Sequence, residues 1–192
     1  MASLVLLTSF FNLSDGPWAW SMLAMSSGFG DESKLPPMTT RGRDWPCLRQ
    51  FIVFLENRVG SLHDLLRRVE RDDLKIVSLS ILDSADCAVA RIIVNNYERA
   101  HELLTFAGVT MFETDVIGVL LPDADQPHTA VLGSLMSAEL NVQYVYPLMY
   151  RKSGRGAVAI YVSEKDEAIR VLRERQYQMV TEEDLMHYDE FF

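Results

Sequence analysis

The chain has 192 residues and is 48% hydrophobic, enough for one or two domains with a real apolar core. Its 27 Asp and Glu outnumber 18 Lys and Arg, giving a formal net charge of −9 and an isoelectric point near 4.9. That balance argues against a nucleic-acid partner, whose phosphates need a concentrated basic face.

Residues 1–46 are unlike the rest. The run SLVLLTSFF is apolar, but no Lys or Arg precedes it, as a secretory signal requires. Asn12, Ser14, Asp15, Gly16 and Pro17 interrupt it far short of the roughly twenty apolar residues of a membrane span. Residues 26–43 are rich in Gly, Pro, Ser and Thr, a linker composition. We expect 1–46 to be a poorly ordered or accessory segment, with Met38 as an alternative start of the functional chain.

A first unit is expected over 47–115. Alternating bulky residues over 48–55 predict a strand, which stops at Glu56, Asn57, Arg58, Val59 and Gly60. Leu62, Leu65, Leu66 and Val69 follow at helical spacing, forming one apolar stripe. Strands at 75–83, with Val77, Leu79 and Ile81 on one face, and at 87–94 flank a tight connection at 84–86. Asn95 or Asn96 caps a helix carrying Ala100, Leu103, Leu104 and Ala107, Gly108 ends it, and 109–114 is a fourth strand. The order β-α-β-β-α-β gives a four-stranded antiparallel sheet with both helices on one face.

A second unit is expected over 116–186, after a short hinge near Asp115. Strands fall at 116–121, 141–150, 157–162 and 177–180, with a turn at 122–127 and a hairpin at Lys152, Ser153 and Gly154. Helices fall at 128–139, with Val131, Leu132, Leu135 and Met136 inward, and at 164–175. Thr181 with Asp184 predicts a cap for a short turn at Leu185 and Met186, and 187–192 is a tail. This unit copies the first. A shift of 66 residues lays Leu55 on Leu121, Val69 on Leu135 and Ile76 on Val142; a shift of 68 lays Val94 on Val162, Leu104 on Leu172 and Met111 on Met179. The fold class is α+β, two ferredoxin-like βαββαβ units. Each leaves one open sheet face and exposed edges, so a homodimer is expected.

Little points to catalysis. The chain has no GxxxxGK[ST], nucleophile elbow, HExxH or Rossmann GxGxxG, although a ferredoxin-like sheet also hosts catalysts. Cys47 and Cys87 make neither a disulfide framework nor a metal cluster, and His63, His101, His128 and His187 share no ligand spacing. We expect a cytoplasmic, non-enzymatic protein without metal or cofactor. The feature that carries chemistry is the turn at 56–60, whose amides and following helix N-terminus converge on one spot fit for a carboxylate.

The stretch ENRVGSLHDLLRRVERDDLKIVSLSI resembles the opening of an ACT domain, and 48–185 resembles the stand-alone tandem-ACT proteins of bacteria. The resemblance implies a regulatory protein that binds a free amino acid at a domain or subunit interface. It places the ligand site at Asn57, Arg58, Val59, Gly60, Ser61 and Leu62. Gly60 would let the backbone approach the ligand, the amides of Ser61 and Leu62 would meet its carboxylate, and Asn57 its amino group. Arg58 would pair with a carboxylate or face solvent, and Val59 stands where the family has proline. The equivalent second turn has no glycine, puts Pro127 in the place of Ser61, and carries Asp123 and Asp125, which repel an anion. Either it has lost its ligand, or Asp123 and Asp125, in a candidate second site with His128, hold the amino group or an imidazole of a ligand whose carboxylate is bound elsewhere. Tyr144 and Tyr146 share a strand face and either complete that second site or pack in a core or interface. The competing reading is a protein-binding regulatory subunit whose ligand sites are vestigial.

Overall fold

A computed structural model describes residues 45–56, 58–83 and 87–187. The expectations for residues 1–44, Asn57, the 84–86 connection and the tail beyond His187 lie outside the described residues. The first unit consists of β1 (Leu48–Glu56), α1 (Ser61–Val69), β2 (Ile76–Asp83), β3 (Cys87–Val94), α2 (Tyr97–Phe106) and the first half of β4 (Met111–Leu120). The second half of β4 opens the next unit, followed by α3 (Pro127–Met136), β5 (Val142–Lys152), β6 (Arg155–Val162), α4 (Lys165–Glu174) and β7 (Met179–Val180); α5 (Glu182–Met186) ends the described chain. Strand order is β2-β3-β1-β4 in the first unit and β5-β6-β4-β7 in the second, antiparallel throughout. The two orders are the same permutation. The chain is thus an α+β pair of ferredoxin-like units.

The expected hinge near Asp115 is absent. β4 runs unbroken, pairing with β1 as far as Leu48↔Val116 and with β6 from Ile117↔Ile160 onward. No Gly or Pro stands between Met111 and Ile117 to turn the chain, and partner strands keep its backbone hydrogen-bonded on both stretches.

Helix ends also repeat. Gly108, Glu139 and Gln176 have φ of 66°, 59° and 63°. The next amides, of Val109, Leu140 and Tyr177, reach back to the carbonyls of Leu104, Leu135 and Leu172 in Schellman closures. Gly108 and Gln176 are separated by the same 68-residue offset seen in the sequence. The closure at Glu139 stops α3 at Met136, short of the expected 139, and Met136 faces solvent at 71% exposure instead of pointing inward. At the last cap, Thr181 and Asp184 form the expected capping box.

Three apolar clusters hold the fold. Phe51, Val53, Ile92, Leu65 and Leu104 lie between the first sheet and its helices; Ile117, Ile160, Leu135 and Leu172 do the same in the second unit. The third cluster joins the two helix-free faces, with Leu48, Ile93, Val116, Leu120, Leu148 and Val180 at its centre. The open faces therefore cover each other within one chain, which removes the reason that they gave for a second chain. Arg49 adds a clasp: its guanidinium bonds Glu182 and Glu98 and lies 3.6 Å over the Tyr97 ring.

Polar groups fix the register of the two faces. Ser78 Oγ donates to the Pro147 carbonyl at 2.7 Å. Gln50, fully buried, donates through Nε2 to Tyr144 Oη at 3.2 Å and accepts from Tyr146 Oη. Burial, helped by the neighbouring Tyr144, pushes the Tyr146 phenol above its ordinary value of 10.0. Its neutral form belongs to the fold, so this stability is fully present below pH 10 and is lost as pH rises beyond it. Tyr146→Phe leaves the Gln50 carbonyl oxygen unsatisfied and should cost about 1–3 kcal/mol in urea melts at neutral pH. The same variant should lose less stability than wild type when the melts are repeated above pH 10.

Candidate ligand-binding site

After β1 the chain folds back tightly. The amide of Arg58 bonds the Glu56 carbonyl at 2.8 Å, and that of Ser61 bonds the Arg58 carbonyl at 3.3 Å. Gly60 then takes φ 94°, ψ −16°, the left-handed region, as the N-cap of α1. A Cβ there would meet nothing within 4 Å, so the backbone angle, and not crowding, is what calls for glycine. Glycine brings no capping oxygen, and no side chain caps α1. The first-turn amides are left without intrahelical acceptors, at the positive end of the helix dipole.

Beside them lies Ser61. It is only 8% exposed, and its Oγ has no hydrogen-bond partner. It lines a cleft of ≈ 340 Å³ that opens between the end of β1, α1 and the 108–110 loop. Val53, Leu55, Leu65 and Val109 make the apolar floor, continuous with the first unit's core. Glu56, Arg58, Asp64 and Arg68 stand at the rim. Arg58 Nε lies 3.0 Å from Glu56 Oε2, and its Nη2 3.7 Å from Asp64 Oδ2. Arg68 Nη1 donates to the Ala107 carbonyl at 2.7 Å, tying α1 to the loop that forms the far wall.

Of the residues named from sequence, Arg58 and Ser61 line the cleft, and Gly60 shapes the turn behind it. Val59 is fully exposed, Leu62 is half-buried outside the cleft lining, and Asn57 lies outside the described residues. Sequence reasoning missed the floor and the far wall. Antiparallel pairing sets Met111 opposite Val53, so the residues just before β4 arrive beside the exit of β1. The βαββαβ order contains that signal: strand four enters where strand one leaves.

The second group of candidates is not gathered into one place. Asp123 and Asp125 sit in an exposed turn, and His128 is exposed in the first turn of α3, which begins with Pro127. α3 packs on one face of the second sheet through Val131 and Leu135, while Tyr146 lies on the other face in the cluster between the sheets. Tyr144 stacks on Tyr161 with ring centroids 4.8 Å apart, and the Arg91 guanidinium lies 4.3 Å over its ring. Among the described residues, no helix is long and apolar enough to cross a membrane.

A family model described as "ACT domain pair" matches residues 47–188. Among solved structures, protein BT0572 from Bacteroides thetaiotaomicron is 26% identical, the match covering 74% of this chain and 98% of that one, with a TM-score of 0.67. The ligand-free regulatory subunit of aspartate kinase from Thermus thermophilus is 10% identical over 67% of this chain and 92% of its own, with a TM-score of 0.47. Aspartokinase alpha and beta subunits give 12%, 67%, 91% and 0.44 for the same measures. No curated protein matches the sequence.

The turn makes a direct prediction. Gly60→Val puts a β-branched residue at φ 94° and should lower stability by about 1–3 kcal/mol in chemical denaturation. Gly60→Asn, whose short side chain tolerates the left-handed region, should retain most of it.

Proposed function

The chain belongs to the ACT domain pair family, and from that premise we propose that it is a non-catalytic regulatory sensor of a free amino acid. The observation that carries this reading is the uncapped N-terminus of α1 beside the buried, unpartnered Ser61 hydroxyl, both at the cleft. The ligand's carboxylate takes the Leu62 amide with the Ser61 hydroxyl, and Arg58 adds charge, while the Ser61 amide stays on the Arg58 carbonyl. Its ammonium takes Glu56 or Asp64, each of which now shares Arg58. Two guanidiniums and two carboxylates line the cleft, a balance that suits a zwitterion better than a net anion.

We place the protein in the cytoplasm as a homodimer, with the second subunit closing the open side of the cleft. β2 ends the strand order and leaves Leu79, Ile81 and Leu82 partly exposed, an edge suited to pairing. The same exposed strand supports the second reading, a subunit that binds a different protein and has kept only a vestigial cleft.

Thermal melting of the full chain against each of the twenty amino acids separates the two. A ligand that binds only the native state stabilises it by RT ln(1 + [L]/Kd), about 2.7 kcal/mol at a hundred times Kd. We expect one amino acid, or one chemically related set, to raise the midpoint by several degrees. A folded dimer whose midpoint moves with none of them would favour the protein-binding reading.

A further inference from the structure

The cleft also carries information about which amino acid it takes. We propose that the ligand's side chain is aliphatic and branched, of the size of valine, isoleucine or leucine. This deepens the sensor reading above and rests on it. Ser61 and the α1 amides stand together at one end, and the charged groups stand at the rim.

Those charges are engaged by one another, by the backbone, or by the ligand's own carboxylate and ammonium. Arg58 is shared between Glu56 and Asp64, and Arg68 is held by the Ala107 carbonyl. Behind the charged rim the lining side chains are apolar: Leu55 and Val109 are half-buried, over Val53 and Leu65, which are almost fully buried. A charged or amide side chain laid against Leu55 and Val109 would give up water without a partner among those side chains, which disfavours its binding. A branched aliphatic one would cover Leu55 and Val109 and extend the first unit's core outward. The volume of ≈ 340 Å³ is at the small end of the roughly 300–1,000 Å³ typical of small-molecule sites, which suits a single amino acid.

Near-isosteric pairs test the class without altering the protein. Isothermal titration of the full chain would compare valine with threonine and leucine with asparagine. An apolar floor rejects an added hydroxyl by about a hundredfold, and we expect a preference of that order for valine or leucine. Val109→Asn should abolish the preference while the unliganded melting midpoint confirms that the variant is folded. Equal or tighter binding of threonine or asparagine overturns the aliphatic assignment and leaves the sensor reading standing. So does a preference that survives unchanged in folded Val109→Asn, or binding confined to some other amino acid. Binding by none of the twenty overturns both.

Discussion

Gln50 is buried completely on β1, and its amide is satisfied by Tyr144 and Tyr146 on β5, the far strand of the other unit. An amide removed from water without partners costs several kcal/mol, so the two helix-free faces pack favourably only in the register that closes these bonds. Each unit is small and covers only one side of its own sheet. Facing the bare sides together creates a third apolar cluster that neither unit has alone, while β4 passes through both and holds them as one sheet system. The helices are thereby left on the outer surfaces. The α1 cleft, on the helix side of the first sheet, remains open to solvent.

Duplication followed by divergence accounts for the difference between the units. In the first, glycine at φ 94° leaves the helix uncapped, with a buried hydroxyl and an apolar floor behind it. In the second, Pro127 opens the helix and supplies no N–H, and the turn before it exposes Asp123 and Asp125. That helix has no side-chain cap either, so what sets the first unit apart is the buried Ser61 hydroxyl, where the second has Pro127. The tyrosines of β5, weighed from sequence as pocket or interface residues, lie between the two sheets, Tyr146 with its hydroxyl on Gln50. On this account the first copy carries the proposed cleft, and the second covers the helix-free face of its sheet.

Much of the fold was legible because its signals are local. Period-two and period-3.6 patterns marked the elements, and the 66–68-residue offset marked the repeat. Thr181 with Asp184 announced a capping box, and glycine at position 60 announced a left-handed turn. The caps near residue 95 separate cleanly: Asn96 Oδ1 accepts from the Arg99 amide of α2, and Asn95 Oδ1 from the Lys75 amide. What escaped depends on distant partners. Whether an extended stretch such as 111–120 bends or continues is decided by the strands beside it, and Asp115 carries no mark of either. Met136 has the spacing of an inward residue, but the left-handed Glu139 ends the helix around it. The far wall of the cleft comes from residues about fifty positions beyond the turn, and only the strand order brings them there.

The central claim is that an amino acid sits at the N-terminus of α1, and its most direct test is an amide chemical-shift titration of the isotopically labelled chain with leucine. The account predicts saturable shifts concentrated at Ser61, Leu62, Val109 and Thr110, with the 123–128 turn unmoved. Saturable shifts centred on the 123–128 turn, or on β5 between the sheets, with 58–65 silent, would contradict it.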